Sequence, residues 1–145
     1  MLFGEWCAAR HSLNYSALPD WFLLFDVYDT RCGRFWSSAR RNTLARLTDL
    51  ATVPQLQQGK TTLTALKQLI TNQPSRFLQG PLEGIVIRQD SADWCERRAK
   101  LVRADFTQTI ETHWSKRMLE WNHIADPIVN SKQVFSEISH LENKQ

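Results

Sequence analysis

Two strand-like apolar runs, Leu82-Glu83-Gly84-Ile85-Val86-Ile87-Arg88 and Arg98-Ala99-Lys100-Leu101-Val102-Arg103, carry charged side chains among residues that favour burial. An unpaired charge placed there costs on the order of several kcal/mol unless a partner or ligand compensates it. Strand alternation puts Glu83, Ile85 and Ile87 on one face, and Arg98 with Lys100 on a face of the second run. One acid and two bases are therefore expected around one pocket. Such a set suits phosphate chemistry, because fixed cations and a hard divalent cation stabilise negative charge growing on phosphate oxygens in a water-poor site.

A third run, Asp20-Trp21-Phe22-Leu23-Leu24-Phe25-Asp26-Val27-Tyr28-Asp29, reads as a buried strand bounded by Pro19 and by the segment from Asp29 to Gly33. On period two, Asp26 lies with Phe22, Leu24 and Tyr28, while Phe25 faces the other way with Trp21, Leu23 and Val27. One face then offers a carboxylate and the other an aromatic plane. A flat base suits that plane, worth about 1–3 kcal/mol per stacked base.

The order Phe3-Gly4-Glu5-Trp6, Phe25-Asp26-Val27-Tyr28-Asp29, Glu83-Gly84-Ile85-Val86-Ile87-Arg88 and Arg98-Ala99-Lys100-Leu101-Val102-Arg103 resembles the ATP-dependent RNA ligases of the Rnl2 type. These belong to the covalent nucleotidyltransferase superfamily, and the resemblance spans roughly residues 3 to 124. It implies that Glu5 lies near the nucleotide sugar, that Phe25 stacks on adenine and that Asp26 is the acid beside it. Glu83 matches the acid near the phosphates that is linked to the divalent metal, and Arg98 and Lys100 match the two bases that hold the AMP phosphate. The implied cofactors are ATP or AMP with Mg2+ or Mn2+, and the implied partners are RNA ends. Many relatives carry lysine where Arg98 stands, a change from a point donor to a planar fork.

The resemblance also implies a lysine in a K-x-D-G or K-x-N-G motif, whose amine attacks the alpha phosphate of ATP. No such motif occurs: Gly4, Gly33, Gly59, Gly80 and Gly84 follow Phe3, Cys32, Gln58, Gln79 and Glu83. The sequence therefore reads as the downstream part of a ligase domain, with an upstream half as an expected partner, and as not competent alone to form the enzyme-AMP intermediate. The family reaction seals an RNA 5'-phosphate to a 3'-hydroxyl through adenylylated intermediates, a chemistry of RNA repair. The alternative is a non-catalytic nucleotide or RNA-end binding module or a truncated product, with DNA ligase or capping-enzyme kinship a weaker third reading.

The composition sets bounds without choosing among these. The chain has 145 residues, 42% hydrophobic and 23% charged, with a formal net charge of +3. That is the balance of a globular domain, mildly basic, which permits contact with nucleic acid. No apolar run reaches the length of a membrane span and no basic-then-apolar leader opens the chain, so a soluble, cytoplasmic protein is expected. Cys7, Cys32 and Cys95 show no C-x-x-C spacing and read as plain thiols. Of the four histidines, only His11 draws notice, through its nearness to Glu5 and Arg10. Gly59-Lys60-Thr61-Thr62 is not a phosphate loop, since Pro54 stands where the loop needs a glycine.

The elements that must position these residues are expected as follows. Ser37 or Ser38 caps a helix to about Leu50, with Leu44, Leu47, Leu50 and Ala51 on its apolar side. Thr61 or Thr62 caps a second with Leu63, Leu66, Leu69 and Ile70 on one face. Five arginines and no acid fall between Arg31 and Arg46, read as a solvated face or as contacts to RNA phosphates. Residues 72–81 form a loop, and Phe106, Ile110, Trp114, Met118 and Trp121 form the packing stripe of a helix running to about Ile124. The fold class expected is α+β, antiparallel sheets with packed helices, as in a partial nucleotidyltransferase (ATP-grasp-like) ligase domain at residues 1–125. A polar C-terminal tail with a short helix is expected over 126–145.

Overall fold

The computed structural model describes residues 1–10, 13–103 and 120–125. His11, most of the expected helix after residue 105 and the C-terminal tail lie outside them. The described residues form an α+β fold of two antiparallel sheets and two helices. Strands β1 (Leu2–Trp6), β2 (Phe22–Asp29) and β3 (Arg34–Phe35) form one sheet in that order. Helices α1 (Ser38–Leu47) and α2 (Leu63–Asn72) follow, and β4 (Gly84–Asp90) pairs with β5 (Cys95–Val102) in a two-stranded sheet.

The central strand β2 does not alternate as its sequence suggests. Phe3 pairs with Asp26 but Gly4 pairs with Leu24, so Phe25 is an extra residue bulged out of the β1–β2 ladder. The bulge reverses the parity of everything beyond it. Leu24 and Val27, which strict period two places on opposite faces, share one core cluster with Ala45 of α1, whereas Leu23 packs in a second cluster with Cys7 and Leu18. The expectation that Asp26 lies with Leu24 and Phe25 with Val27 is thereby corrected. One extra residue shifts the whole set because side-chain direction repeats every two residues.

Helix α1 starts as expected, its N-cap Ser37 accepting from Arg40 N. It ends three residues early. Leu50 N bonds back to Ala45 O at 2.9 Å and Asp49 adopts φ 54°, a left-handed closure made here without glycine. Of the expected apolar side, Leu44 and Leu50 pack against the cluster of Leu24, Val27 and Ala45, and Ala51 against that of Cys7, Leu18 and Leu23, but Leu47 is 80% exposed. The helix also buries Arg41, whose Nη1 donates to Phe25 O at 2.8 Å, meeting the carbonyl that the bulge frees from the ladder. In α2, Thr62 is the N-cap and Ile70 the buried residue, but Leu63 points outward.

Residues 120–125 are extended rather than helical, which corrects the C-terminal end of the expected helix. They lie between two upstream segments that offer unpaired backbone groups. Asn122 N bonds to Ala8 O, His123 N to Tyr15 O and Ala125 N to Leu18 O. The buried Asn122 side chain completes the clamp, accepting from Tyr15 N at 2.8 Å and donating to Cys7 O at 2.7 Å. Trp121, the last residue of the expected stripe, lies in this extended run and is 57% exposed; the other four lie outside the described residues.

Candidate functional site

The β4–β5 hairpin carries the charged residues to their positions. Its register places Val86 opposite Lys100 and Arg88 opposite Arg98, so Arg98 and Lys100 share a face with Arg88 and Val86 and not with Ile85 and Ile87. Gly84 sits opposite Val102, and a Cβ on it would lie 2.6 Å from Leu101 O. Only glycine admits that close strand approach, which explains the Gly that follows Glu83.

Glu83 and Lys100 both line a cavity of about 260 Å3, together with Tyr15, Phe77 and Pro81. Two of the expected residues therefore do meet around one space. Tyr15 Oη donates to Glu83 Oε1 at 3.2 Å. Burial, reinforced by the charge and hydrogen bond of Glu83, pushes the Tyr15 phenol well above its usual range, so it stays a donor at neutral pH. Tyr15 was not legible as a site residue; only the fold brings it to Glu83, through the Asn122 clamp on its backbone nitrogen. Lys100 makes no ion pair among the described residues.

Arg98 has a different setting. Its Nη1 meets Asp26 Oδ2 at 2.6 Å, and its guanidinium lies 4.1 Å from the Phe35 ring centroid. The other oxygen of Asp26 takes a short ion pair from Arg88 Nη1, while Arg88 Nη2 donates to Trp36 O at 2.8 Å. A carboxylate 5% exposed thus bridges two guanidiniums and ties the hairpin to β2. Burial alone would pull the Arg88 guanidinium down, but the hydrogen bond and charge of Asp26, then the charge of Asp90, hold it above its usual value. Strand rise places Arg98 and Lys100, two residues apart on one face, roughly 7 Å from each other. The Asp26 network and the Glu83–Lys100 cavity are therefore neighbours.

The remaining expected residues sit apart from the cavity. Phe25 is half-buried at the bulge, and Glu5 is exposed on β1 opposite Leu23; neither lines the cavity. Burial pushes the Cys7 thiol up to about 11, and the three described cysteines are free. Among the described residues no group of three or more His, Cys, Asp or Glu side chains is placed to hold a metal ion, and no helix is long and apolar enough to cross a membrane. Of the arginine run, Arg41 is buried, Arg34 pairs with Glu96 and Arg40 lies near Asp93, so it is not one solvated face.

An α+β scaffold in which one hairpin and the residue before it present an amine and an acid to a cavity, beside a buried carboxylate that bridges two arginines, is the class the fold and the site define. A family model described as RNA ligase matches residues 1–102, which takes in every expected site residue. The chain belongs to the RNA ligase family. Neither the curated proteins nor the solved structures give a match.

Proposed function

We propose that this chain is the downstream part of an ATP-dependent RNA ligase domain of the Rnl2 type, binding adenylate at the β4–β5 hairpin. The observation that carries the reading is the meeting at one cavity, next to Arg98, of Glu83 and Lys100, which makes no ion pair among the described residues. Lys100 faces the AMP phosphate as a point charge, and Arg98, 47% exposed at its side chain, reaches the same phosphate from its place on Asp26. Tyr15 orients Glu83 through its hydroxyl. The resemblance assigns the stacking ring to Phe25, whose backbone Arg41 fixes, and the sugar contact to Glu5; both sit outside the cavity, so this part of the reading requires the nucleoside to extend beyond it toward β1 and β2.

The donor set fits magnesium only in one form. With no cluster of three ligands among the described residues, Glu83 would be the one carboxylate to hold the ion, with the rest of its oxygen ligands left to phosphate and water, as magnesium in ATP sites prefers. When bound, such an ion neutralises charge developing on the transferred phosphate. The cavity, at about 260 Å3, is slightly smaller than the roughly 300–1,000 Å3 of small-molecule sites, which suits a phosphate and part of a nucleoside.

Because the sequence has no K-x-D-G or K-x-N-G motif, the nucleophilic lysine comes from another segment, and this chain alone binds AMP without forming a covalent adduct. The same absence favours a second reading, a nucleotide or RNA-end binding module that performs no sealing. Incubation with labelled ATP and magnesium, followed by denaturing separation, should give no labelled protein, while titration with AMP should show binding that Lys100→Ala weakens at least about tenfold. A covalent adduct, or AMP binding indifferent to Lys100→Ala, overturns the proposal. Ligation of RNA after a lysine-bearing segment is supplied separates the ligase from the binder.

A further inference from the structure

On the side of the molecule where α1 begins, two arginines and two tryptophans from three elements are stacked in series. The Arg40 guanidinium lies 4.2 Å from the Trp36 ring centroid and 4.8 Å from that of Trp94, and Arg34 lies 4.9 Å from Trp94. Trp36 and Trp94 are held together by an antiparallel bridge, so β3, the first turn of α1 and the β4–β5 turn each contribute a rung. Backbone contacts hold the frame: Ser37 N bonds to Asp93 O and Ser37 Oγ to Ala92 O, both at 2.9 Å. The series ends in the open, with the Arg34 side chain 44% exposed.

We propose that this ladder is a docking site for single-stranded RNA, with a base stacking on the outward face of Arg34 and the neighbouring phosphates meeting Arg34, Arg40 and the exposed Arg31. Guanidinium planes and aromatic rings are the two surfaces on which unpaired bases stack, and here they alternate and are already ordered, so little side-chain freedom is lost on binding. Both arginines pair with acid at the surface. Arg34 Nη2 donates to both oxygens of Glu96, at 2.9 and 2.7 Å, with the two side chains 44% and 42% exposed, and Arg40 Nε lies 3.9 Å from Asp93, itself 66% exposed. Water screens such pairs, which are typically worth at most about 1 kcal/mol, so phosphate can compete with the carboxylates for both cations. The site deepens the ligase reading only in the choice of RNA as strand, and it involves none of the residues assigned to adenylate.

Fluorescence-anisotropy titration of a short fluorescein-labelled single-stranded oligoribonucleotide tests it, with AMP titration and thermal unfolding run on each variant. Arg34→Ala should weaken RNA binding roughly 5- to 150-fold, the range for removing one stacked base. Its salt dependence should flatten by about 0.7 in log–log slope for each phosphate that the variant no longer neutralises. Trp94→Phe should keep more affinity than Trp94→Ala, and AMP binding should be unchanged in Arg34→Ala. Wild-type protein that binds no oligoribonucleotide, or Arg34→Ala with unaltered RNA affinity and a normal unfolding transition, overturns the proposal. Failure of AMP binding with RNA binding intact instead sinks the adenylate reading and leaves this site standing.

Discussion

Replacing Asp26 by asparagine removes the negative charge between two guanidiniums while keeping the side chain's size. Arg88 is then left with a side chain only 12% exposed and its principal partner gone. Breaking a buried pair in this way typically costs about 3–5 kcal/mol, because the remaining charge cannot be rehydrated. Two contacts moderate the loss: Arg88 keeps Trp36 O at 2.8 Å and Asp90 at 3.4 Å. The expected cost is therefore near the lower end, about 3 kcal/mol. Arg98, with 47% of its side chain exposed, returns to water, and its pair with Asp26 adds at most about 1 kcal/mol. Removing Arg98 alone, as Arg98→Ala, should accordingly cost about 1 kcal/mol or less. Urea unfolding followed by tryptophan fluorescence measures both, and at about 2–4 °C per kcal/mol the Asp26→Asn midpoint should fall by roughly 6–12 °C in a thermal scan. If Asp26→Asn costs no more than Arg98→Ala, the buried bridge does not hold the hairpin to β2 and the electrostatic argument fails.

Two further outcomes are expected. Gly84→Ala forces a methyl group to within 2.6 Å of the Leu101 carbonyl, a backbone atom that cannot swing away, so it should cost about 1–3 kcal/mol and disturb AMP binding by displacing Glu83; unchanged stability by urea titration would show that the strands separate freely there. Asp90 accepts from Ser38 N at 2.7 Å; burial raises its carboxyl, but the Ser38 hydrogen bonds and then Arg88 outweigh that and hold it below the usual carboxylate range. A depressed folded pKa contributes stability that is full above the unfolded value, about 3.9, and is lost as pH falls through that value toward the lower folded one. Asp90→Asn should therefore lower stability at pH 6 and reduce its dependence on pH below 4, and an unaltered acid limb in the unfolding profile would count against the contact.

Much of the fold was legible because it rests on local chemistry. Ser37 and Thr62 cap their helices as hydroxyl residues before helical runs should, and the two halves of the charged hairpin carry strand-forming residues around a turn. The α+β class follows from those elements. The types of residue at the candidate site were also set in the chain: Glu83 beside a glycine, and two bases two residues apart, are patterns that composition and alternation expose without coordinates.

What the sequence left open were facts of register and long-range pairing. The bulge at Phe25 depends on how β1 aligns with β2, and nothing in the order of residues marks which one is extra. Arg41 appeared as one cation in a basic run, yet it is buried because the bulge leaves a carbonyl needing a donor. Tyr15 reaches Glu83 across 68 positions of sequence, and residues 120–125 run extended because Ala8, Tyr15 and Leu18 offer them backbone partners. Residue type decides what chemistry a side chain can perform. Which atoms share a space depends on backbone groups far apart in the chain satisfying one another once water is excluded, and only the tertiary structure decided that.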